Sequence, residues 1–192
     1  LEEAGTVADC VPDTAEKQIE LLAWILQKQE QRFERLGRKP STPMAEMLAF
    51  QSALIRSSSP SFRVDVRGLS MDGTVIAALY GLRQAKSYYQ IICAMDETWA
   101  RLAPGLVLMW RTVEAMHRDG CSIYDFTIGD EDYKQDFRTE VMPIYEMMKP
   151  LSITSLPTVS WYAAHPRLVA AKRNLVAQQD QIRKSISKLL NR

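Results

Sequence analysis

The chain has 192 residues, enough for one domain with a full core or one domain plus an appended helix, and too few for two full domains. Charged residues make up 24% and the formal net charge is +1, which removes any global electrostatic argument for a nucleic-acid or membrane partner. The charge is uneven, however: Asp96 to Glu146 holds eleven acidic against five basic residues, and Trp161 to Arg192 holds seven basic against one acidic. Three cysteines, Cys10, Cys93 and Cys121, show no metal-ligand spacing and leave an odd number for disulfides. The expectation is a reduced, cytoplasmic chain without a metal, in which Cys93 and Cys121 pack. No apolar run reaches the roughly 18 residues of a membrane span, and the start lacks a signal-peptide pattern. The first residue is Leu1 rather than Met, which fits a processed or truncated piece.

Residues 1–12 carry no periodicity and are expected as an irregular lead. Asp13 and Thr14 offer an N-cap, and Ile19, Leu22, Ile25, Leu26 and Phe33 recur on one face, which predicts an amphipathic helix ending near Gly37. Its other side, with Lys28, Glu30, Arg32, Glu34 and Arg35, reads as a solvated face of local ion pairs. Ser41-Thr42-Pro43 predicts a second start, a hydroxyl cap followed by proline at the first helical position, with Met47, Leu48, Leu54 and Ile55 apolar. Two helices over 13–57 therefore precede a loop at Ser57 to Ser61.

Beyond that loop the spacing becomes that of strands. Phe62, Val64 and Val66 alternate with Arg63, Asp65 and Arg67, and Met71-Asp72-Gly73 links this run to Thr74–Leu82 as a hairpin. Val75 to Tyr80 is continuously apolar, as in a central strand buried on both faces. Tyr88 to Ala94 forms a third strand, and a loop leads to Pro104. Leu106, Met109, Trp110, Val113 and Met116 then recur at threes and fours and predict a helix with a core-facing stripe, ending at Asp119. His117 lies beside it with no ligand-spaced partner.

The stretch from Gly120 to Phe137 is the most suggestive in the chain. Ile123, Tyr124 and Phe126 make a short strand, and Gly129 opens into Asp130, Glu131, Asp132, Lys134 and Asp136. These charges cannot all be buried unpaired, so they line a wet cleft or face solvent. Tyr133 and Phe137 start a short helix, and Pro143 to Ser152 returns to a strand through Ile144, Tyr145, Met147 and Met148, closed by Pro157. After Pro166, Leu168, Leu175, Ile182 and Leu189 fall at sevens. This basic helix lies across the domain, pairs with a partner helix or a second copy through 166–190, or rests on an anionic membrane. The domain plan is 1–157, with the sheet and its helices over 62–153, and a basic C-terminal helix over 158–192.

The segments IAALYGL, SYYQIICAMDETWARLAPGLVL and GCSIYDFTIGDEDYK resemble the bacterial acetyltransferase-like family of the GNAT superfamily associated with cellulose and exopolysaccharide biosynthesis. They are also similar, more distantly, to the Fem-type aminoacyl transferases. The resemblance covers Thr14 to Pro150 and implies a mixed α/β fold: a central, mostly antiparallel sheet flanked by helices, with a long C-terminal helix. It places an acyl-CoA donor, most simply acetyl-CoA, along the end of the third strand at Ile92 and Ala94. The donor's phosphates fall at the helix start Arg101-Leu102-Ala103-Pro104-Gly105-Leu106, where free amides and the dipole attract anions. That loop departs from the family pattern, having one glycine and a proline that removes an amide donor.

Direct acyl transfer needs a base for the acceptor proton, donors for charge developing on the acyl oxygen, and an acid for the leaving thiolate. Asp130 or Glu131 is the candidate base and Tyr133 the candidate acid or acceptor-positioning group, while the Tyr-Lys-x-x-Phe run over 133–137 resembles the family stretch that approaches the acyl carbonyl and implies charge stabilisation by Lys134. Asp125 and Gly129 support the loop. The acceptor is expected to be a small molecule, sugar-like or peptide-like, and nucleic acid enters only if aminoacyl-tRNA is the donor. A rival expectation is a noncatalytic binding or assembly module for a polysaccharide-synthesis complex.

Overall fold

The structure is a computed structural model that describes residues 5–38, 40, 42–129, 131–145 and 147–165. It divides into two compact units, 1–138 and 139–192. In the first, helix α1 (Ala15–Arg35) starts at Thr14, whose side chain accepts from the Lys17 amide. Its apolar stripe buries Leu21, Leu22, Ile25 and Leu26. Helix α2 (Met44–Arg56) differs from expectation at its start: Pro43 itself is the cap residue and no side chain caps the helix. Proline takes that place readily because its fixed φ suits the entry and the amide it lacks would have been unpaired.

Five strands form one sheet in the order β1-β2-β3-β4-β5. The lead expected to be irregular supplies β1 (Val7–Cys10), antiparallel to the end of β2 (Phe62–Met71). Ladder bonding to an existing edge creates that strand, which four residues without periodicity could not announce. The β2–β3 hairpin turns at Asp72 (φ 49°) and Gly73 (φ 80°), the left-handed pair that a two-residue turn of matching twist requires. Strand β3 (Thr74–Gln84) is central and buried on both faces, as its apolar run predicts. Gly81 leaves room for the Tyr88 ring, since a Cβ there would lie 2.2 Å from the phenol oxygen. Strand β4 (Ser87–Met95) pairs antiparallel with β3 and parallel with the short β5 (Ile123–Asp125).

Each face of the sheet carries its own core. Val64, Val66, Ala78 and Tyr80 pack under α1 and α2, while Leu69, Met71, Ile76, Leu79 and Tyr88 pack under α3 (Pro104–Arg118). The stripe of α3 is rotated from expectation. Leu108, Met109, Thr112 and Met116 are buried, whereas Leu106 and Trp110 are exposed, the tryptophan by 58%. Thr112 can turn inward because its hydroxyl donates to the Leu108 carbonyl at 2.7 Å. Helix α4 (Asp132–Phe137) adds Tyr133 and Phe137 to the same core, with Phe137 against Phe126 and Trp110.

In the second unit none of the described residues over 143–152 lies in the strand expected there. Pro143 and Pro150 cannot donate to a ladder, and Ile144, Tyr145, Met147 and Met148 do not alternate, so no half-buried face defines a register. Pro157 does not close a strand either; it stands in the first turn of a helix over 156–165, where proline costs little. The basic helix expected over 166–190 lies outside the described residues. None of the described helices is long and apolar enough to cross a membrane.

Candidate functional site: the cleft between β4 and β5

Strands β4 and β5 pair only from Ser87 to Tyr89 against Ile123 to Asp125, and then separate. Two local features force the divergence. The β3–β4 register shifts at Tyr80/Gly81, which leaves Ile91 as an extra, exposed residue that bends β4. On the other side Thr127 takes φ 59°, its amide donates to Asp125 Oδ1 at 2.6 Å, and its hydroxyl donates to the Gln90 carbonyl at 2.9 Å. The side chain of Gln90 is buried and locked by Tyr124, which donates to Oε1 at 2.8 Å, so the branch point is rigid. Past it, the edge of β4 from Ile91 to Met95 has no strand partner among the described residues.

Ile92 and Ala94 turn toward the α1 side, while Cys93 faces α3, its Sγ 3.9 Å from the Gly105 carbonyl. The start of α3 is therefore seated directly on β4. Ala103 there is left-handed (φ 47°), and its carbonyl accepts from the Leu106 and Val107 amides. The Ala103 amide donates to Ala100, and Pro104 has none. Among the described residues of this turn the amide of the buried Gly105 has no backbone partner, and the exposed Arg101 precedes it.

The far wall is the loop from Phe126 to Glu131 with α4. Gly129 has φ 129°, and a Cβ there would meet the Glu131 carboxylate at 2.4 Å. Lys134 is 9% exposed. Its ammonium donates to the Thr127 carbonyl at 3.4 Å and the Ile128 carbonyl at 3.1 Å, and pairs with Glu131 Oε2 at 2.9 Å. Three partners match its three donors. This hydrogen bond from Lys134 holds the Glu131 carboxyl below the usual range. Burial pushes the Tyr133 phenol up to about 12 and the Cys93 thiol up to about 12, so both are neutral near pH 7. Asp130 lies outside the described residues.

The sequence did not single out α1 as part of this site. Its cationic face is not merely solvated: Lys28 donates to Asp96 Oδ2 at 2.6 Å, and Arg35 pairs with Glu97. Lys28, with Thr98, draws the Asp96 carboxyl down to about 2. Spacings of four and three put Lys28, Arg32 and Arg35 on one side of the helix, a signal visible in the sequence but without an address until the end of β4 is located.

The sequence model described as an acetyltransferase (GNAT) domain matches residues 1–135. The chain belongs to the GNAT acetyltransferase family. The activity is therefore acetyl transfer with acetyl-CoA as donor substrate. Solved structures that resemble this GNAT domain include an aminoglycoside acetyltransferase from an uncultured soil metagenomic sample in complex with sisomicin, 19% identical, with a TM-score of 0.48 over 75% of this chain and 96% of that one. Another is glucosamine-6-phosphate N-acetyltransferase from Arabidopsis thaliana, 11% identical, with a TM-score of 0.48 over 77% of this chain and 99% of its own. A third is an N-acetyltransferase from Thermoplasma acidophilum in complex with coenzyme A, 10% identical, with a TM-score of 0.43 over 59% of this chain and 75% of its own. No curated protein sequence matches this GNAT chain.

Proposed function

We propose that the β4–β5 cleft transfers an acetyl group directly to an amine or hydroxyl of a sugar-like or peptide-like acceptor in polysaccharide or cell-envelope biosynthesis. The observation that supports the site is the β4 edge left unpaired where β5 diverges, with the neutral phenol of Tyr133 on α4. Acetyl-CoA, when bound, supplies the acetyl group as a thioester. The chain's residues fit that donor: the β4 edge offers backbone groups, and the Gly105 amide with Arg101 offers an anion site at the helix start. A thiol as weakly acidic as Cys93 makes a poor nucleophile, which favours transfer without a covalent enzyme step.

Tyr133 is proposed as the proton donor to the departing thiolate, since its phenol stays protonated and half-buried against the core. Glu131, exposed beside it, is proposed to orient the acceptor's amine and pass its proton to solvent. A carboxyl held below the usual range is a weak direct base. For Lys134 the geometry favours positioning over charge stabilisation, because an acyl oxygen would have to displace one of its present partners. Release of free thiol from acetyl-CoA in the presence of a panel of amino sugars and peptides tests this reading; release with none of them removes the sugar-like or peptide-like acceptor.

A further inference from the structure

Arg32 is the member of the α1 cationic stripe that makes no ion-pair contact among the described residues. Lys28 and Arg35, one turn to either side, are tied to Asp96 and Glu97, the residues that follow β4. Arg32 has no ion pair among the described residues, and its guanidinium is exposed. Helix geometry carries it with its two neighbours to the end of β4. There its field reaches Cys93, Tyr133 and Glu131, residues of both cleft walls. Glu131 attracts it at a distance, but that carboxylate is in contact with Lys134 at 2.9 Å and forms no ion pair with Arg32 among the described residues. An arginine left over beside the reacting groups is poised for an anion, which its planar fork can grip through two hydrogen bonds.

Two anions could meet it. The donor's phosphates belong at the turn from Arg101 to Leu106, and between that turn and the α1 stripe stand Asp96 and Glu97, already paired. Arg32, exposed and one turn from Lys28 and Arg35, stands instead at the end of β4 that those two neighbours reach, away from the phosphate turn. We propose that Arg32 is an acceptor-recognition residue that binds a carboxylate or phosphate carried by the amine- or hydroxyl-bearing acceptor. This rests on the acetyl-transfer reading and adds the charge class of the acceptor.

Calorimetry with the full chain tests it, using glucosamine 6-phosphate, glucosaminate and glucosamine as probes, with and without coenzyme A, in wild type and Arg32→Gln. The expected result is that at least one anionic probe binds wild type about 10-fold more tightly than glucosamine, the scale of one charge-assisted contact. Arg32→Gln should erase that preference and leave acetyl-CoA affinity unchanged. The phosphate and carboxylate arms show which anion is preferred. The proposal is overturned if glucosamine binds as well as both anionic probes, if the preference survives in Arg32→Gln, if that variant loses acetyl-CoA affinity instead, or if none of the three probes binds. Failure of wild type to bind acetyl-CoA would remove the transferase reading, and the anion preference measured without coenzyme would still decide the role of Arg32.

Discussion

At the scale of single residues, Tyr133 and Lys134 sit one position apart and carry different burdens. Tyr133→Phe removes a proton donor while keeping the ring packed against Phe137's core, so the fold and acetyl-CoA affinity should be retained. Turnover should fall about 100-fold or more, the scale of losing a general acid, and unchanged turnover would remove Tyr133 from the chemistry. Lys134→Met strips partners from two loop carbonyls and from Glu131, and should cost about 1 to 3 kcal/mol of stability as well as activity. A Lys134→Met protein as stable as wild type would show that the bonds to the loop are not formed in solution. Both residues were legible in the sequence as members of a charged cluster after a strand. What each does was not, because the number of donors Lys134 has left depends on where the Thr127 and Ile128 carbonyls point. Arg101→Ala should weaken acetyl-CoA binding by about 1 to 3 kcal/mol, read by calorimetry, and equal affinity would place the phosphates elsewhere.

Among the elements, the hairpin, the central strand and the start of α3 follow from local signals: the Asp72-Gly73 turn, the apolar run of β3, and proline as the first residue of α3. Two elements escaped for a shared reason. Strand β1 and the rotation of α3 are decided by what lies alongside them rather than by their own spacing, whereas the strand expected over 143–152 fails on its own prolines and lack of alternation. The tie from α1 to the end of β4 belongs at this scale and can be tested by pH. Lys28, through its hydrogen bond, holds the folded Asp96 near 2, against an ordinary 3.8, so the contribution to stability is present above about pH 4 and is lost as pH falls toward 2. Because the pair is partly exposed, about 1 to 2 kcal/mol is expected rather than the full conversion. Lys28→Met should therefore destabilise by that amount at pH 7 and lose its effect near pH 2 in urea titrations. A difference independent of pH would mean the lysine acts through packing on Trp24 instead.

For the molecule as a whole, burial makes the alkaline side the vulnerable one. Tyr80 and Tyr133 are pushed to about 12, and Tyr88 and Tyr124 well upward, from an ordinary value of 10.0. The unfolded chain ionises first, so stability holds below pH 10 and declines as pH rises toward 12; the phenolate absorbance of these four rings should appear together with loss of circular dichroism, after that of the exposed Tyr145 and Tyr162. Phenolate absorbance of all seven tyrosines before unfolding would mean the four rings are wetter than the structure shows. If the cleft between β4 and β5 holds a donor thioester, titration calorimetry of acetyl-CoA into the full chain will show it. Saturable binding of one acetyl-CoA per chain is expected, accompanied by a rise in melting temperature with ligand concentration. No heat and no thermal shift up to millimolar acetyl-CoA would contradict it.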